Sequence, residues 1–305
     1  MNALLEISGL GARYPGPWLG RRKPLDVLRD VELTVREGET VALIGESGSG
    51  KTTLGRIVAG LVKPCAGSLI FRGGRLAMMF QDPVGSLSPR RTVAQLVLEP
   101  LRIAGLKVAD PGSEAARLLA MVGLPASMAR RYPHQLSGGQ ARRVTVAQAL
   151  AVPPRLVVCD EPTAGLDMSV QAEILNLMSD LQDRFGIAYL LITHNLAVAR
   201  HVSHGTAVMY LGGIVEAGPT DAVFAQPRHP YTAHLLAAEL KARPGARPAS
   251  PLGGDPPSLA ERPSGCAYHP RCPQARDICR QEAPALRADA AGRKVACHFP
   301  LGAPA

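Results

Sequence analysis

Aromatic side chains are scarce in this sequence, and long apolar runs are missing. Phe, Trp and Tyr make up 4% of the 305 residues, although apolar residues reach 46%, which is enough for a full core. No apolar run approaches the about 20 residues that a membrane-spanning helix needs. The first residues contain Glu6 and no basic stretch, so we expect no signal peptide. The composition therefore predicts a cytoplasmic protein that reaches a membrane only through a partner.

Positive charge exceeds negative charge, with 34 Lys and Arg against 25 Asp and Glu. An excess of this size suits an anionic ligand, an anionic membrane surface or nucleic acid, and does not choose among them. A clustered basic stripe with interleaved aromatic residues, which is typical of nucleic-acid binding, is missing. The six cysteines favour buried thiols or metal ligands over structural disulfides in a cytoplasmic chain.

Short apolar strands alternate with helical patterns along the first 240 residues. This order predicts an α/β fold with a mostly parallel sheet. Strands are expected at residues 4–10, 27–35, 40–45, 67–72, 76–80, 156–159, 187–193, 206–210 and 214–216. Helices are expected from about residue 51 and at residues 92–104, 113–122, 138–151 and 169–185.

The composition changes after about residue 240. Residues 241–263 are rich in Pro, Gly and Ala and are predicted to form a linker. Four of the six cysteines follow it, within residues 264–305. We therefore predict a main domain over residues 1–240 and a small Cys-rich C-terminal extension.

A glycine-rich loop follows the third predicted strand. Residues 45–52 read GESGSGKT, which fits G-x-x-x-x-G-K-[ST] between a buried strand and a helix. The glycines let backbone N–H groups face phosphates, and the helix N-terminus adds partial positive charge. Lys51 brings a full charge to the phosphates, and Thr52 offers its hydroxyl to Mg²⁺. The expected nucleotide-binding residues are Gly45, Ser47, Gly48, Ser49, Gly50, Lys51, Thr52 and Thr53.

Two further positions at strand ends carry groups suited to phosphate chemistry. Asp160 and Glu161 follow the apolar strand 156–159, at the edge where parallel sheets bind ligands. Asp160 is predicted to hold Mg²⁺, and Glu161 to orient or deprotonate the attacking water. His194 follows strand 187–193 and is predicted to contact the γ-phosphate. Each of these residues also has a structural alternative. The carboxylate pair could cap the N-terminus of a helix, and His194 could have a purely structural role at the strand end.

A second anion-binding helix start lies far from the first loop. Residues 136–140 read LSGGQ, with a Ser and two Gly where a helix begins. Two such ends in one chain suggest that two chains pair head to tail, with each nucleotide held between them. The residues expected to act there are Ser137, Gly138, Gly139 and Gln140.

Over about residues 4–240 the sequence resembles the ABC ATPase family, with its motifs in the same order. GESGSGKTT corresponds to the Walker A loop, LVVCDE to the Walker B strand, and residues 136–140 to the signature. Gln81 matches the Q-loop, Asp167 the D-loop and His194 the switch histidine. Tyr14 stands where the family has an aromatic residue that stacks on adenine, although Trp18 lies nearby.

This resemblance implies an ATP hydrolase that uses ATP and Mg²⁺. It implies a mostly parallel sheet core with an antiparallel β subdomain and a helical subdomain at about residues 84–152. Within that scheme, Glu161, His194, Lys51 and Gln81 are expected to carry the catalysis. Thr52, Gln81 and Asp160 are expected to hold Mg²⁺.

YPHQLSGGQ, QPRHPYTAHLLAA and the tail around GCAYHPRCPQARDIC are similar to the oligopeptide, dipeptide and nickel importer branch. The resemblance implies an importer for peptides, nickel or metal chelates at the cytoplasmic face of the inner membrane. The expected partners are two permease subunits, a second ABC ATPase and an extracytoplasmic binding protein, and no nucleic acid is expected.

The sequence departs from that family pattern in three places. The segment between Arg72 and Phe80 is short, Gln148 stands where an Arg is common, and Asn195 replaces the usual Asp after His194. None of these differences removes an expected catalytic group. The first is expected to alter a surface that faces a partner.

The four cysteines of the extension, Cys266, Cys272, Cys279 and Cys297, leave three alternatives open. Four thiolates in a short segment can hold a [4Fe–4S] cluster or Zn²⁺. The spacing differs from the paired C-x2-C pattern of common zinc ribbons. Related importer subunits with this tail can carry an iron–sulfur cluster, so the cluster is favoured over zinc and over a tail that only packs on the main domain.

Two other functions were weighed against a transport motor. A relative of the same fold acting on nucleic acid or ribosomes would explain the positive charge, but the chain has no second cassette and no long coiled-coil insertion. A nucleotide-binding regulatory subunit without turnover is the blander alternative. The presence of both Glu161 and His194 argues against it.

Overall fold

The computed structural model describes residues 2–15, 24–239, 257–289 and 292–302. These residues form two compact units. Unit 1 contains residues 36–38 and 73–190, and unit 2 contains residues 3–35, 39–72 and the described residues from 191 onwards. Trp18 and residues 241–256 of the predicted linker lie outside the described residues.

The strands, in chain order, are β1 (Ala3–Tyr14), β2 (Leu25–Arg36), β3 (Thr40–Ile44), β4 (Ala66–Phe71), β5 (Leu76–Met79), β6 (Leu156–Asp160), β7 (Ala188–Ile192), β8 (Gly205–Tyr210), β9 (Gly213–Pro219), β10 (Arg287–Ala288) and β11 (Lys294–Val295). The helices are α1 (Lys51–Val58), α2 (Val93–Ile103), α3 (Pro111–Met121), α4 (Gly138–Leu150), α5 (Met168–Phe185), α6 (Leu196–Val202), α7 (Thr220–Ala225), α8 (Pro230–Glu239) and α9 (Asp277–Gln281).

Unit 1 pairs two parallel strands and packs three helices together. β5 and β6 align from Leu76 opposite Leu156 to Met79 opposite Cys159. All residues of β6 are buried, as is typical of a strand covered on both faces. Helices α2, α3 and α4 contact one another. Their fully buried apolar side chains include Leu96, Val97, Leu118, Leu119 and Val144.

Side-chain caps define where the helices of unit 1 begin. Thr92 and Ser137 each start a helix with a capping box, in which the glutamine three residues later bonds back to the cap. Asp110 caps α3, whose first residue is Pro111. At the other end of α5, Gly186 adopts a left-handed conformation with φ of 64°. The expected helix at residues 138–151 therefore begins where its cap requires.

Unit 2 contains two sheets. In one of them β3 and β8 run parallel, and the antiparallel strands β9, β11 and β10 follow beside β8. The other is a three-stranded sheet in the order β2-β1-β4, with β1 and β4 antiparallel. Because β10 and β11 come from the C-terminal extension, the extension adds its backbone directly to a sheet of unit 2.

Three tyrosines join the extension to the core of unit 2. The ring centroid of Tyr210 lies 4.6 Å from that of Tyr231 and 5.2 Å from that of Tyr268. All three are buried in one cluster with Ile44 of β3. Tilted and edge-on aromatic pairs contribute about 0.5–1.5 kcal/mol each beyond their burial. Tyr268 of the extension is therefore a core residue of this unit.

A buried ion pair provides a second attachment of the extension. Arg293 lies 2.6 Å from the carboxylate of Glu216 in β9, and Glu216 is fully buried. The same carboxylate accepts hydrogen bonds from the backbone N–H groups of Arg228 and His229. Burial lowers the pKa of His229 to about 3, so this imidazole stays neutral. Removing either Arg293 or Glu216 alone would leave the other charge buried without its ion-pair partner, which is strongly destabilising.

The sequence-based prediction of an α/β fold is confirmed. Each predicted strand and helix of residues 4–216 has a counterpart, usually displaced by one or two residues at its ends. Strands β10 and β11 were not predicted, because two-residue strands produce no alternation that a sequence pattern can show. Among the described residues, no helix combines the length and apolar character needed to cross a bilayer.

Candidate functional site

The glycine-rich loop of unit 2 joins a buried strand to a helix, as the motif requires. β3 is buried throughout, and α1 begins directly after the loop. Gly50 has φ of 106°, and a Cβ there would lie 2.8 Å from Leu28. A Cβ on Gly45 would lie 2.2 Å from the carbonyl oxygen of Met209. Glycine is favoured at both positions because both have a positive φ, which is 149° at Gly45, and at Gly45 a Cβ would also collide with backbone.

Lys51 folds back over this loop. Its Nζ donates to the carbonyl oxygens of Gly45 and Glu46, at 2.8 Å each, and lies 3.4 Å from the hydroxyl of Ser49. The side chain is buried, with 8% of its surface exposed. An ammonium group held by several loop atoms marks the centre of the loop as a site for negative charge.

Contacts from more distant parts of unit 2 hold the same loop from outside. The backbone N–H of Gly212 donates to the carbonyl of Ser49 at 2.8 Å. The backbone N–H of Glu46 donates to the hydroxyl of Tyr231 at 2.9 Å. The carboxylate of Glu46 accepts two hydrogen bonds from Arg271, at 2.9 and 3.0 Å. This bidentate bond raises the pKa of Arg271.

Glu46 and Arg271 were not singled out from the sequence. Glu46 occupies a variable position of the loop motif, and Arg271 follows it by more than two hundred residues. Local spacing carries no signal for such a pair, and only the position of Arg271 immediately before Cys272 could have drawn notice.

Three other predicted residues belong to unit 2. The hydroxyl of Tyr14 lies 3.5 Å from that of Thr53, so the aromatic residue stands beside the start of α1. His194 is exposed just after β7. The side chain of Asn195 accepts a hydrogen bond from the backbone of Val198 and caps α6. Asn and Asp cap helices about equally well, so the departure at this position preserves the local structure.

In unit 1, β6 delivers the predicted carboxylate pair. Asp160 is the last residue of the strand and is buried, with 3% of its surface exposed. Glu161 follows with φ of 50°, a left-handed conformation that is uncommon outside glycine. Strain of this kind persists where surrounding contacts hold the backbone, and it occurs often at functional sites.

Arg142 supplies such contacts. This arginine is fully buried, and its guanidinium donates to the carbonyl oxygens of Phe80 and Gln81, at 2.7 Å each. A longer contact of 3.5 Å reaches the carbonyl of Glu161. Burial lowers the pKa of Arg142. One side chain therefore connects α4 to the predicted Q-loop and to the predicted base. Arg142 is not marked by any sequence pattern, because basic residues in helices are usually exposed.

The LSGGQ segment packs against the start of α5 and against Leu166 just before it. A Cβ on Gly138 would lie 3.4 Å from Leu166, and a Cβ on Gly139 would lie 2.7 Å from Val170. Asp167 caps α5, and its hydrogen bond with Ser169 lowers the pKa of its carboxyl group. Unit 1 thus places the two predicted motifs side by side, with Ser137 exposed at the start of α4.

All four cysteines of the extension line one cavity in unit 2, which also contains Tyr268 and Phe299 in its wall. Burial raises the pKa of Cys266 and Cys272, and raises that of Cys297 to about 11. In the described part of the chain, no three His, Cys, Asp or Glu side chains are arranged to hold one metal ion. The arrangement gathers the thiols without forming a ready mononuclear site.

The two remaining cysteines differ from these four. Cys159 is fully buried in the core strand β6, and burial raises its pKa to about 12. Cys65 is exposed at the start of β4. Neither lines the cavity of the extension.

Two family models match this chain. One, described as ABC transporter, matches residues 28–164. The other, described as oligopeptide/dipeptide transporter, C-terminal region, matches residues 215–279. The first covers the loop at residues 45–52, the LSGGQ segment and the carboxylate pair, and the second covers three of the four cysteines in the extension.

Two bacterial proteins resemble most of the chain. One from Brucella abortus (strain 2308), named as a peptide import ATP-binding protein, is 46% identical over 297 residues, which cover 92% of this chain and 88% of that protein. One from Sinorhizobium fredii (strain NBRC 101917 / NGR234), named as a peptide ABC transporter ATP-binding protein, is 45% identical over 317 residues, covering 97% of this chain and 90% of that protein.

Solved structures show the same fold. A dimeric ATP-binding cassette in a post-hydrolysis state, bound to ADP and phosphate, superposes with a TM-score of 0.64 at 27% identity, over 71% of this chain and 98% of that one. A component of an ABC transporter complex from Clostridium perfringens has a TM-score of 0.64 at 24% identity, over 80% and 96% of the two chains. The predicted ABC-type α/β fold is confirmed.

Proposed function

Because this chain belongs to the ATP-hydrolysing subunits of ABC transporters, we propose that it powers the import of peptides through a separate permease. The observation that carries the proposal is the similarity to proteins named for peptide import, at 45–46% identity over more than nine-tenths of the chain. The match of residues 215–279 to the C-terminal region of oligopeptide and dipeptide transporters points the same way. Nothing in these matches favours action on nucleic acid or ribosomes.

Within this function, residues 45–53 bind the phosphates of ATP. The backbone N–H groups of the loop and the start of α1 offer partial positive charge. Lys51 already bonds to loop carbonyls, and it would exchange those partners for phosphate oxygens when ATP enters. Tyr14 would stack on the adenine, which its hydrogen bond to Thr53 at the start of α1 supports.

Thr52, Gln81 and Asp160 would hold the Mg²⁺ that accompanies ATP. A hydroxyl, an amide oxygen and a carboxylate are the hard oxygen donors that this ion prefers. The position of Asp160 at the end of β6 supports the role, because ligands of parallel sheets bind at this edge. The bound ion would neutralise charge on the transferred phosphoryl group.

Glu161 would orient and deprotonate the water that attacks the γ-phosphate, and His194 would contact that phosphate. Arg142 contributes by holding the backbone of Gln81 and Glu161, so that both side chains start from fixed positions. It does not touch the nucleotide in this scheme and is a positioning residue.

The signature residues Ser137, Gly138, Gly139 and Gln140 would bind the nucleotide held by a partner ATPase, with Asp167 beside them. The exposure of Ser137 supports this role, because a cap that serves another chain must be accessible. The resemblance to a cassette solved as a dimer supports the pairing. The partner ATPase can be a second copy or a different subunit.

The transporter around this subunit would contain two permease subunits and an extracytoplasmic binding protein. The chain would then lie at the cytoplasmic face of the inner membrane. Closing and reopening of the ATPase pair would drive the permease between its two facing states. Nickel and metal chelates are the cargo alternatives within the same importer branch.

The cavity lined by Cys266, Cys272, Cys279 and Cys297 would hold a [4Fe–4S] cluster. Four thiols line this one cavity, and four thiolates in a short segment can ligate such a cluster. When bound, the cluster would supply positive charge that stabilises the thiolates. Iron and sulfide analysis with an optical spectrum of anaerobically purified protein tests this assignment, and zinc or no metal would contradict it.

Transport in membrane vesicles tests the main proposal. The chain should be produced with the permease and binding protein encoded by neighbouring genes, and ATP hydrolysis should rise when a peptide-loaded binding protein is added. Stimulation by nickel alone would replace the cargo assignment. Salt-sensitive binding of RNA or DNA without any permease partner would contradict the proposal.

A further inference from the structure

The phosphate loop contains one acidic residue. Glu46 is the second residue of a loop whose N–H groups and lysine are arranged for anions. A carboxylate near a bound triphosphate would repel it, more strongly where water is partly excluded. A loop with this sequence therefore needs a compensating positive charge, and its motif residues do not provide a second one.

Arg271 provides that charge. Its guanidinium makes a bidentate contact with the Glu46 carboxylate, and the two side chains are 4% and 19% exposed. The guanidinium also lies 3.4 Å from the hydroxyl of Tyr210 and over the rings of Tyr210 and Tyr268, 5.9 Å from each centroid. Packing on both rings fixes the arginine in the orientation that the carboxylate needs.

The backbone around Arg271 belongs to the cysteine cavity. Residues His269–Arg271 form a single turn between Cys266 and Cys272. The carbonyl of Cys266 accepts a hydrogen bond from the N–H of His269, and the carbonyl of His269 accepts one from the N–H of Cys272. The N–H of Cys266 donates to the carbonyl of Cys279. Backbone hydrogen bonds therefore connect Cys266, Cys272 and Cys279 to the turn that carries Arg271.

We infer that the C-terminal extension sets the affinity of the phosphate loop for ATP, with Arg271 as the positioning residue that neutralises Glu46. The position of the cysteine backbone determines whether Arg271 can pair with Glu46. When the cavity is intact, the loop presents a net positive face to the triphosphate. When the cysteine backbone shifts, Glu46 loses its partner and ATP binds less tightly. This inference rests on the proposed role of residues 45–52 as the phosphate loop.

A double-mutant cycle of Glu46 and Arg271 in the full-length protein tests whether Arg271 neutralises Glu46. The measured quantity is the dissociation constant of Mg-ATP. Arg271→Met should raise this constant about tenfold, because an unpaired carboxylate remains beside the phosphates. Arg271→Lys should have a smaller effect, since it keeps the charge and loses the bidentate geometry. The double variant Glu46→Gln with Arg271→Met should return to within about threefold of the wild type.

Lys294→Met is the matched control. It removes one positive charge from the same extension, where Lys294 pairs with Glu32 on an exposed surface. The affinity for Mg-ATP should stay within about twofold of the wild type, because exposed pairs contribute little. Thermal unfolding followed by circular dichroism verifies that each variant is folded. An unchanged constant in folded Arg271→Met, or a double variant as weak as Arg271→Met alone, would overturn the inference.

A second cycle tests whether the cysteine cavity acts through Arg271. Cys272→Ser should raise the dissociation constant of Mg-ATP about threefold or more in the wild-type background and leave it unchanged in the Arg271→Met background. Cys279→Ser provides an independent variant should Cys272→Ser fail to fold. No effect in the wild-type background, or equal effects in both backgrounds, would overturn the readout through Arg271. Peptide specificity does not enter these measurements, so failure of the import proposal would be seen separately.

Discussion

Each unit of this molecule contains a buried arginine that holds predicted site residues, and the two arginines bind different kinds of acceptor. Arg142 in unit 1 donates to backbone carbonyls at 2.7 Å, and burial lowers its pKa. Arg271 in unit 2 donates to the carboxylate of Glu46, and this bond raises its pKa. Both side chains are less than one-tenth exposed, so the difference comes from the acceptors.

The different acceptors indicate different roles for the two arginines. Neutral carbonyls do not compensate a charge, so the buried Arg142 is held by hydrogen bonds to several carbonyl oxygens at once. Its role is to hold backbone, and its loss should appear in folding and turnover. Arg271 compensates a charge beside the phosphate loop, and its loss should appear in nucleotide affinity. Variants of Arg142 should therefore change mainly turnover, and variants of Arg271 should change mainly the affinity for ATP.

The largest expected effect belongs to the predicted base in unit 1. Glu161→Gln should lower the turnover number for ATP by about 10²–10⁴-fold, because the amide cannot accept a proton from water. The affinity for Mg-ATP should be retained, since the phosphate loop is untouched. Phosphate release and nucleotide binding measured on the same preparation separate the two. Unchanged turnover in this variant would refute the assignment of the base.

Removing the guanidinium of unit 1 comes next. Arg142→Met should lower the free energy of unfolding by about 3 kcal/mol, because the carbonyls of Phe80 and Gln81 lose the hydrogen bonds that the buried guanidinium donates. Turnover should fall as well, while the affinity for ATP changes less. Chemical denaturation and steady-state kinetics measure these effects.

Arg155→Met is the control for the Arg142 variant. It breaks a pair with Glu37 in which both side chains are about half exposed, and it should change the free energy of unfolding by less than about 0.5 kcal/mol. An equal decrease in the free energy of unfolding in both variants would show that the buried Arg142 contributes no more to stability than an exposed arginine. The contrast between the two arginines of the site would then fail.

Much of the site could be predicted because its motifs are local. Glycines with a positive φ or a close neighbour, a helix start and a buried strand are all encoded within about ten residues, as the loop at residues 45–52 shows. Arg142 and Arg271 could not be predicted, because their partners are distant in sequence and no periodicity marks a buried arginine. The Cys-rich extension was predicted as an appendage, but a two-residue strand and Tyr268 give no signal of a shared core.

The buried His229 of unit 2 should make the free energy of unfolding depend on pH. The pKa of His229 is lowered to about 3 in the folded protein, from an ordinary value of 6.5. Between pH 6.5 and pH 3 the imidazole of His229 is protonated in the unfolded chain and neutral in the folded chain. The free energy of unfolding should therefore fall by up to about 1.4 kcal/mol per pH unit from pH 6.5 down to pH 3.

His229→Gln removes the titrating group and serves as the comparison. Denaturation at several pH values should show a flatter pH dependence in this variant, because the remaining groups are the same in both proteins. Equal slopes in the two proteins would mean that His229 is not buried as a neutral imidazole, and that the extension is anchored in another way.

The smallest effect is expected at the family departure beside the switch histidine. Asn195→Asp keeps a side-chain oxygen that can cap α6, so the free energy of unfolding should change by less than about 0.5 kcal/mol. Turnover and affinity should also stay near their wild-type values. A large change in turnover would show that residue 195 takes part in phosphate chemistry and is more than a cap.

The structure of the Glu161→Gln protein with Mg-ATP and its ATPase partner tests the account most directly. We predict that each triphosphate at a Gly45–Thr52 loop is also contacted by a signature helix of the opposite subunit, and that the Ser137 of this chain reaches the nucleotide held by the partner. An ATP-bound assembly in which Ser137 contacts no nucleotide would contradict the account, because the signature helix would then have no role in driving transport.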